Sequence, residues 1–168
     1  MNIFLVGPMG AGKSTIGKRL ARALNMVFKD SDHEIEARTG VDIATIFDIE
    51  GEEGFRKREQ QMIDELSAKK NIVLATGGGA ILSEENRRHL TSRGNIVYLR
   101  TSVAQQLART AHDKNRPLLA TEDPAARLTE LMEIREPIYI EVADIIVDTD
   151  HRHANQVVKD IQKNLIDD

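Results

Sequence analysis

The chain has 168 residues, 40% hydrophobic and 30% charged, with 23 Lys and Arg against 27 Asp and Glu. That length suits one domain with a real hydrophobic core, and the net charge of −4 offers no global attraction to nucleic acid or an anionic membrane. The absence of cysteine excludes disulfides, a thiolate nucleophile and a Cys-based zinc site, and fits a reducing cytosol.

Ile3–Val6 is a short apolar run, too brief for a signal peptide. It leads into Gly7-Pro8-Met9-Gly10-Ala11-Gly12-Lys13-Ser14-Thr15, after which Ile16, Leu20 and Leu24 recur at the spacing of one helix face. Residues 26–29 read as a strand ending in Asp30-Ser31-Asp32, and a helical pattern through Ile35 stops at Gly40. A long charged helix is expected to begin after a break at Gly54-Phe55 and run to about Lys69, with Met62, Ile63 and Leu66 inward. Ile72–Ala75 is a buried strand followed at once by Thr76-Gly77-Gly78-Gly79, and Ser83 caps a helix with Glu84 and Glu85 in its first turn. Residues 96–99 form the next strand, and Val103 and Leu107 mark the helix after it. Residues 111–123 have weak periodicity and read as a mobile loop. Asp123-Pro124 starts a helix that Pro137 should kink or restart. Residues 145–147 are the last strand, and Val157, Val158, Ile161 and Leu165 form the inner stripe of a C-terminal helix. No apolar run nears the roughly twenty residues of a membrane span, so the expected location is the cytoplasm.

Five apolar strands alternating with helices imply a single doubly wound α/β domain around a five-stranded parallel sheet. Right-handed crossovers then bring residues 7–14, 30–32, 76–79 and the segment after Leu99 to one edge of that sheet. Gly7, Gly12, Lys13 and Ser14 fill the spacing G-x-x-x-x-G-K-[ST] between a strand and a helix, the pattern of a phosphate-cradling loop. Gly10, Ala11, Gly12, Lys13, Ser14 and Thr15 are therefore expected to hold ATP phosphates, with Lys13 on the β/γ-phosphates and Ser14 on Mg²⁺. The strand 72–75 ends in no carboxylate, so Asp30 and Asp32 must supply it. At i and i+2 in an extended segment they would point the same way, one toward the metal and one toward a substrate hydroxyl, or Asp32 merely caps the next helix. The glycine triplet either admits a ligand to the backbone or makes a tight turn needing positive φ. Arg56 and Arg135 suit a carboxylate substrate if they are not surface arginines, and Arg116 sits where a lid would close over the transferring phosphoryl group. The five histidines form no ligand pair.

Taken together, GPMGAGKST at 7–15, DSD at 30–32, EGEEGFRKRE at 50–59, ATGGG at 75–79, RPLL at 116–119 and REP at 135–137 resemble shikimate kinase, the bacterial type closely. The resemblance spans nearly the whole chain. It implies a P-loop fold of the nucleoside monophosphate kinase kind and Mg²⁺-dependent transfer of the ATP γ-phosphoryl group to the 3-hydroxyl of shikimate, in aromatic amino-acid biosynthesis. It further implies that Asp32 orients or deprotonates that hydroxyl, that Arg56 and Arg135 clamp the shikimate carboxylate, and that Gly77, Gly78 and Gly79 line the substrate, Gly78 most closely. Arg116 would be the lid arginine reaching ATP, Asp30 would support the metal of Ser14 through water, and Arg109 and Arg152 would lie near the adenine. The family pattern is a monomer whose lid (111–123) and substrate-binding helical segment (32–60) move on binding. A gluconate kinase would share Lys13 and Ser14 but not the Arg56/Arg135 pair with DSD and GGG. A nucleotide switch module is disfavoured by the absence of N-K-x-D, and a silent nucleotide-binding relative by the set Lys13, Ser14, Asp32 and Arg116.

Overall fold

A computed structural model describes residues 1–111 and 122–167. Its strands are β1 (Ile3–Val6), β2 (Val27–Asp30), β3 (Ile72–Ala75), β4 (Asn95–Arg100) and β5 (Ile145–Asp148), and they form one parallel sheet in the order β2-β3-β1-β4-β5. Between them run α1 (Lys13–Leu24), α2 (Ser31–Thr39), α3 (Ile43–Ser67), α4 (Glu84–Arg93), α5 (Val103–Thr110), α6 (Pro124–Val142) and α7 (Ala154–Asp167). Among the described residues no helix is long and apolar enough to cross a membrane.

Successive side chains of a strand face opposite ways, so the continuous apolar runs serve two cores. Phe4, Val6, Leu74, Ile96 and Tyr98 pack under α2, α3, α4 and α6 with Ile35, Phe55, Ile63, Leu90 and Tyr139. Ile3, Leu5, Val73, Val97 and Leu99 pack under α1 and α7 with Ile16, Leu20, Val157 and Ile161. Each large side chain fully buried this way contributes about 1.5–3 kcal/mol. The outer strands are the half-wet ones: β2 is largely accessible, and β5 alternates buried and exposed.

Three local expectations are corrected. Asp30 and Asp32 do not share an extended segment: Asp30 ends β2 in extended geometry (φ −121°, ψ 122°) and caps α2, its Oδ1 accepting the His33 N–H at 3.1 Å. Asp32 already lies in the first helical turn, where i and i+2 diverge by about 200°, so Asp32 is not the cap. The break in the long helix falls at Gly51 (φ 73°, ψ 179°), not at Gly54-Phe55, and Arg56 sits a turn inside the second half. α6 does not restart at Pro137 but continues through it to Val142; Leu128, Leu131 and Tyr139 bury its inner face on both sides of the missing N–H, and that packing outweighs the proline penalty of about 3 kcal/mol.

Asn2 ties the sheet to the end of α3. Its Nδ2 donates to Lys69 O at 2.7 Å and Ser67 O at 3.4 Å, while its Oδ1 accepts the Ile72 N–H at 3.1 Å. Replacing it leaves buried backbone groups without partners, so Asn2→Ala is predicted to lose about 1–3 kcal/mol of stability, read as a lower urea midpoint at unchanged m-value. An unchanged midpoint would show that the tie carries no weight.

Candidate active site

The loop after β1 winds through Gly7, Gly10 and Gly12 at φ 147°, 81° and 86°. At Gly10 and Gly12 these values are ones an L side chain resists, and they turn backbone N–H groups inward as an anion cradle at the start of α1. Lys13 Nζ donates to Gly7 O at 2.6 Å and Pro8 O at 2.9 Å, folded back over the loop it would serve. Ser14 Oγ donates to Asp30 Oδ2 at 2.5 Å. This pairs a hydroxyl and a carboxylate, hard oxygen donors of the kind Mg²⁺ takes when phosphates and water supply its other ligands.

These residues form one end of a cleft of about 520 Å³ that also takes in Thr15, Asp32, Arg56, Glu59, Gly77, Gly78, Gly79, Arg109 and Arg135. Ala11 belongs to the core beneath the loop and can offer only its backbone. Arg109 Nη1 donates to Gly10 O at 2.9 Å, so α5 closes the outer side of the loop. Beyond it, a smaller pocket of about 210 Å³ joins Gly12, Thr15 and Arg109 to Arg152. Arg152 is held there by Asp160 at 2.6 Å and by Asp148 O at 3.0 Å. Arg116 and residues 112–121 of the expected lid lie outside the described residues.

The opposite end of the cleft is an arginine wall. Arg135 is 3% exposed although it carries a full charge, and burial holds its guanidinium below the usual value. Burial would also lower Arg56, but Glu59 and Glu52 outweigh it and raise the net value. Arg56 Nη1 donates to Glu59 Oε1 at 2.8 Å, and Nη2 to Glu52 Oε1 at 3.3 Å. Glu59 itself is 1% exposed. Burial pushes its carboxyl up against the pull of Arg56 and Arg135. Glu59 and Glu52 balance the two cations in formal charge, yet the planar guanidinium forks still present donors that suit a carboxylate.

The glycine triplet is explained by space. None of the three has a left-handed φ, so the positive-φ turn is not its reason. A Cβ on Gly79 would stand 2.5 Å from Arg56 Nη2 and 2.9 Å from Arg135 Nη2, and one on Gly78 3.3 Å from Arg135 Nη1. A Cβ on Gly77 would meet Glu59 Oε2 at 2.8 Å and Asp32 Oδ1 at 3.0 Å. The bare backbone lets the charged groups of α2, α3 and α6 converge on the end of β3.

Sequence reasoning missed Glu59 and Tyr139. Tyr139 is fully buried and donates its hydroxyl to Gly78 O at 2.5 Å. Both had a signal: Glu59 falls on the apolar stripe Phe55, Met62, Leu66, and Tyr139 stands one helical turn after Arg135 on the stripe Leu128, Leu131.

The shikimate kinase family model matches residues 9–166. A shikimate kinase of Thioalkalivibrio sulfidiphilus is 60% identical over 162 residues, covering 96% of this chain and 85% of that one. One of Shewanella denitrificans is 58% identical over 164 residues, covering 98% and 96%. Among solved structures, the shikimate kinase of Acinetobacter baumannii in complex with shikimate superposes with a TM-score of 0.97 at 51% identity, covering 99% of this chain and 93% of that one. A gluconokinase of Sinorhizobium meliloti, at 15% identity and a TM-score of 0.59, shares the fold alone.

Gly79→Ala has a backbone (φ −100°, ψ 5°) that alanine tolerates, yet its methyl group would strike two guanidinium groups. It is predicted to cost about 1–3 kcal/mol by urea denaturation; an unchanged midpoint would mean that the arginine wall yields freely.

Proposed function

This chain belongs to the shikimate kinase family, an ATP-dependent kinase that phosphorylates shikimate, and on that premise we propose a role for each residue of the cleft. The observation that carries the reading is the pairing of a phosphate cradle at one end of the cleft with the Arg56/Arg135 wall at the other. One end suits the nucleotide and the other a carboxylate, which leaves the substrate hydroxyls facing the phosphates.

ATP lies with its triphosphate on residues 10–15 and its adenine toward the pocket of Arg109 and Arg152. Lys13 leaves the carbonyls of Gly7 and Pro8 for the β- and γ-phosphates, a short reach for a flexible ammonium. Ser14, and Asp30 through water, would hold Mg²⁺, which would supply neutralisation of the phosphate charge. The carboxylate of shikimate takes the free edges of Arg56 and Arg135 and the backbone at Gly78, with Gly77 and Gly79 leaving room for the ring. Asp32 then accepts the hydrogen of the 3-hydroxyl, aligns its oxygen with the γ-phosphorus and receives its proton as the new P–O bond forms and the bond from the γ-phosphorus to the β,γ-bridging oxygen breaks, with ADP as the leaving group. Arg116 is assigned by its place in RPLL, as the cation that neutralises the transferring group. Such chemistry depends mainly on positioning and charge, so no further nucleophile is required. Residues 32–60 form the substrate-binding unit and 111–123 the lid of a single domain spanning 1–168. We further propose a cytoplasmic monomer without nucleic-acid or membrane partners, supported by the cysteine-free, net-acidic composition and by a clamp built within one chain.

An ADP-release assay with Mg²⁺ and ATP is predicted to show turnover with shikimate and only background release with gluconate or with no acceptor. Equal release in all three would overturn the substrate reading. Lys13→Ala should reduce kcat by at least about a hundredfold while the protein stays folded; a folded variant with undiminished turnover removes Lys13 from the chemistry. Asp32→Asn should lower kcat by about 10²- to 10⁴-fold with ATP affinity nearly unchanged, whereas lost ATP affinity would assign Asp32 to the metal.

A further inference from the structure

The clamp arginine Arg135 is carried by a segment of α6 that is tied down from two sides. Tyr139, one turn on, is fully buried and donates its hydroxyl to Gly78 O at 2.5 Å across 61 residues of chain. Its ring stacks on Tyr98 of β4, with centroids 4.9 Å apart and planes 24° apart, and the Tyr98 hydroxyl in turn donates to Glu136. The Arg135 guanidinium also interacts with the Tyr139 hydroxyl. One phenol thus touches both halves of the carboxylate-facing wall, the guanidinium and the glycine backbone.

The direction of that hydrogen bond matters. In a planar trans peptide the C=O and the following N–H point opposite ways. Holding Gly78 O against Tyr139 therefore turns the Gly79 N–H away from the phenol and fixes the plane of the loop on which the substrate is read. Burial pushes the Tyr139 hydroxyl well above its ordinary value, so it remains a donor throughout the pH range in which the protein works.

We infer that Tyr139 is a positioning residue for substrate recognition, setting the distance and orientation between the Arg135 fork and the Gly78–Gly79 peptide that together receive the substrate carboxylate. This rests on the clamp reading above. Tyr139 touches no reacting atom in that reading; it acts through Arg135 and Gly78, so its effect falls on the KM for the acid and spares both kcat and the ATP site.

The test is steady-state kinetics on the full-length enzyme with Tyr139→Phe, which keeps the ring and its stack on Tyr98 but removes the donor. Arg135→Ala, the double variant and Asn2→Ala, a remote variant that lowers stability alone, are measured beside it. The expected result is a shikimate KM raised about tenfold, the range expected when a buried acceptor loses its donor, with kcat and the ATP KM within twofold of wild type. In the Arg135→Ala background the same change should add less than twofold, because the group it positions is gone. A shikimate KM equal to that of Asn2→Ala would overturn the inference and make Tyr139 a purely structural residue. So would a parallel rise in the ATP KM, or full additivity with Arg135→Ala. If Arg135→Ala itself left the shikimate KM unchanged, the clamp reading would fail first, and that outcome is read independently of Tyr139→Phe.

Discussion

Two guanidinium groups drawn into one wall of a cleft are the constraint around which this protein is built. Taking an ion out of water costs several kcal/mol even after the protein relaxes, and Arg135 is 3% exposed. The surroundings answer with a carboxylate on one side, Glu59 beneath Arg56, and with three residues that have no side chain on the other. The compensation is incomplete, since Arg135 Nε and Glu59 Oε2 make no hydrogen bond among the described residues. Arg135 Nε is a buried donor without an acceptor among those residues, and under the clamp proposal the carboxylate of the ligand would supply one and add stability to the folded state.

The parallel sheet turns that local arrangement into a two-substrate site. β1 lies between β3 and β4, so the phosphate loop leaving β1 is flanked by the glycine loop leaving β3. The register that pairs Leu5 with Ala75 sets their separation. β2 on the far side of β3 delivers Asp30 and Asp32 to the same edge. Asp30 turns toward Ser14 and Asp32 toward Gly77, so the helical turn beginning at Asp30 aims the two carboxylates at different loops, the phosphate loop and the glycine loop. An extended segment would have aimed both at one of them. The helix start that the sequence reading missed is thus what gives two neighbouring aspartates different surroundings.

Much of this was legible beforehand because it depends on short-range chemistry. The strand-loop-helix spacing around Lys13, the Ser83 and Asp123 caps, and the stripes of α3 and α7 are all written within a few residues of where they act. What was not legible depends on partners distant in sequence. For Gly77, Gly78 and Gly79 a ligand approach and a tight turn both stayed open, because the neighbours in space that decide it, Arg56 and Arg135, lie 20 to 60 residues away. Tyr139 drew no reading because its acceptor is a backbone carbonyl 61 residues away. Pro137 left a restart of the helix open because local propensity is all a sequence window contains, and the packing of Leu128, Leu131 and Tyr139 on the core carries α6 through it. Glu59 went unread although its signal was local: a carboxylate on the apolar stripe of Phe55, Met62 and Leu66 is an anomaly within a few residues.

The central claim is that the Arg56/Arg135 wall recognises a carboxylate, and it is tested most directly by calorimetric titration of the enzyme with shikimate and with its methyl ester. The ester keeps the ring and the hydroxyls but carries no charge. If two buried guanidinium groups await an anion, the ester should bind about ten- to a hundredfold more weakly, the span that hydrogen bonds to a charged group confer. Equal affinity for acid and ester would contradict the account, and the buried arginines would then have to be explained as part of the fold alone.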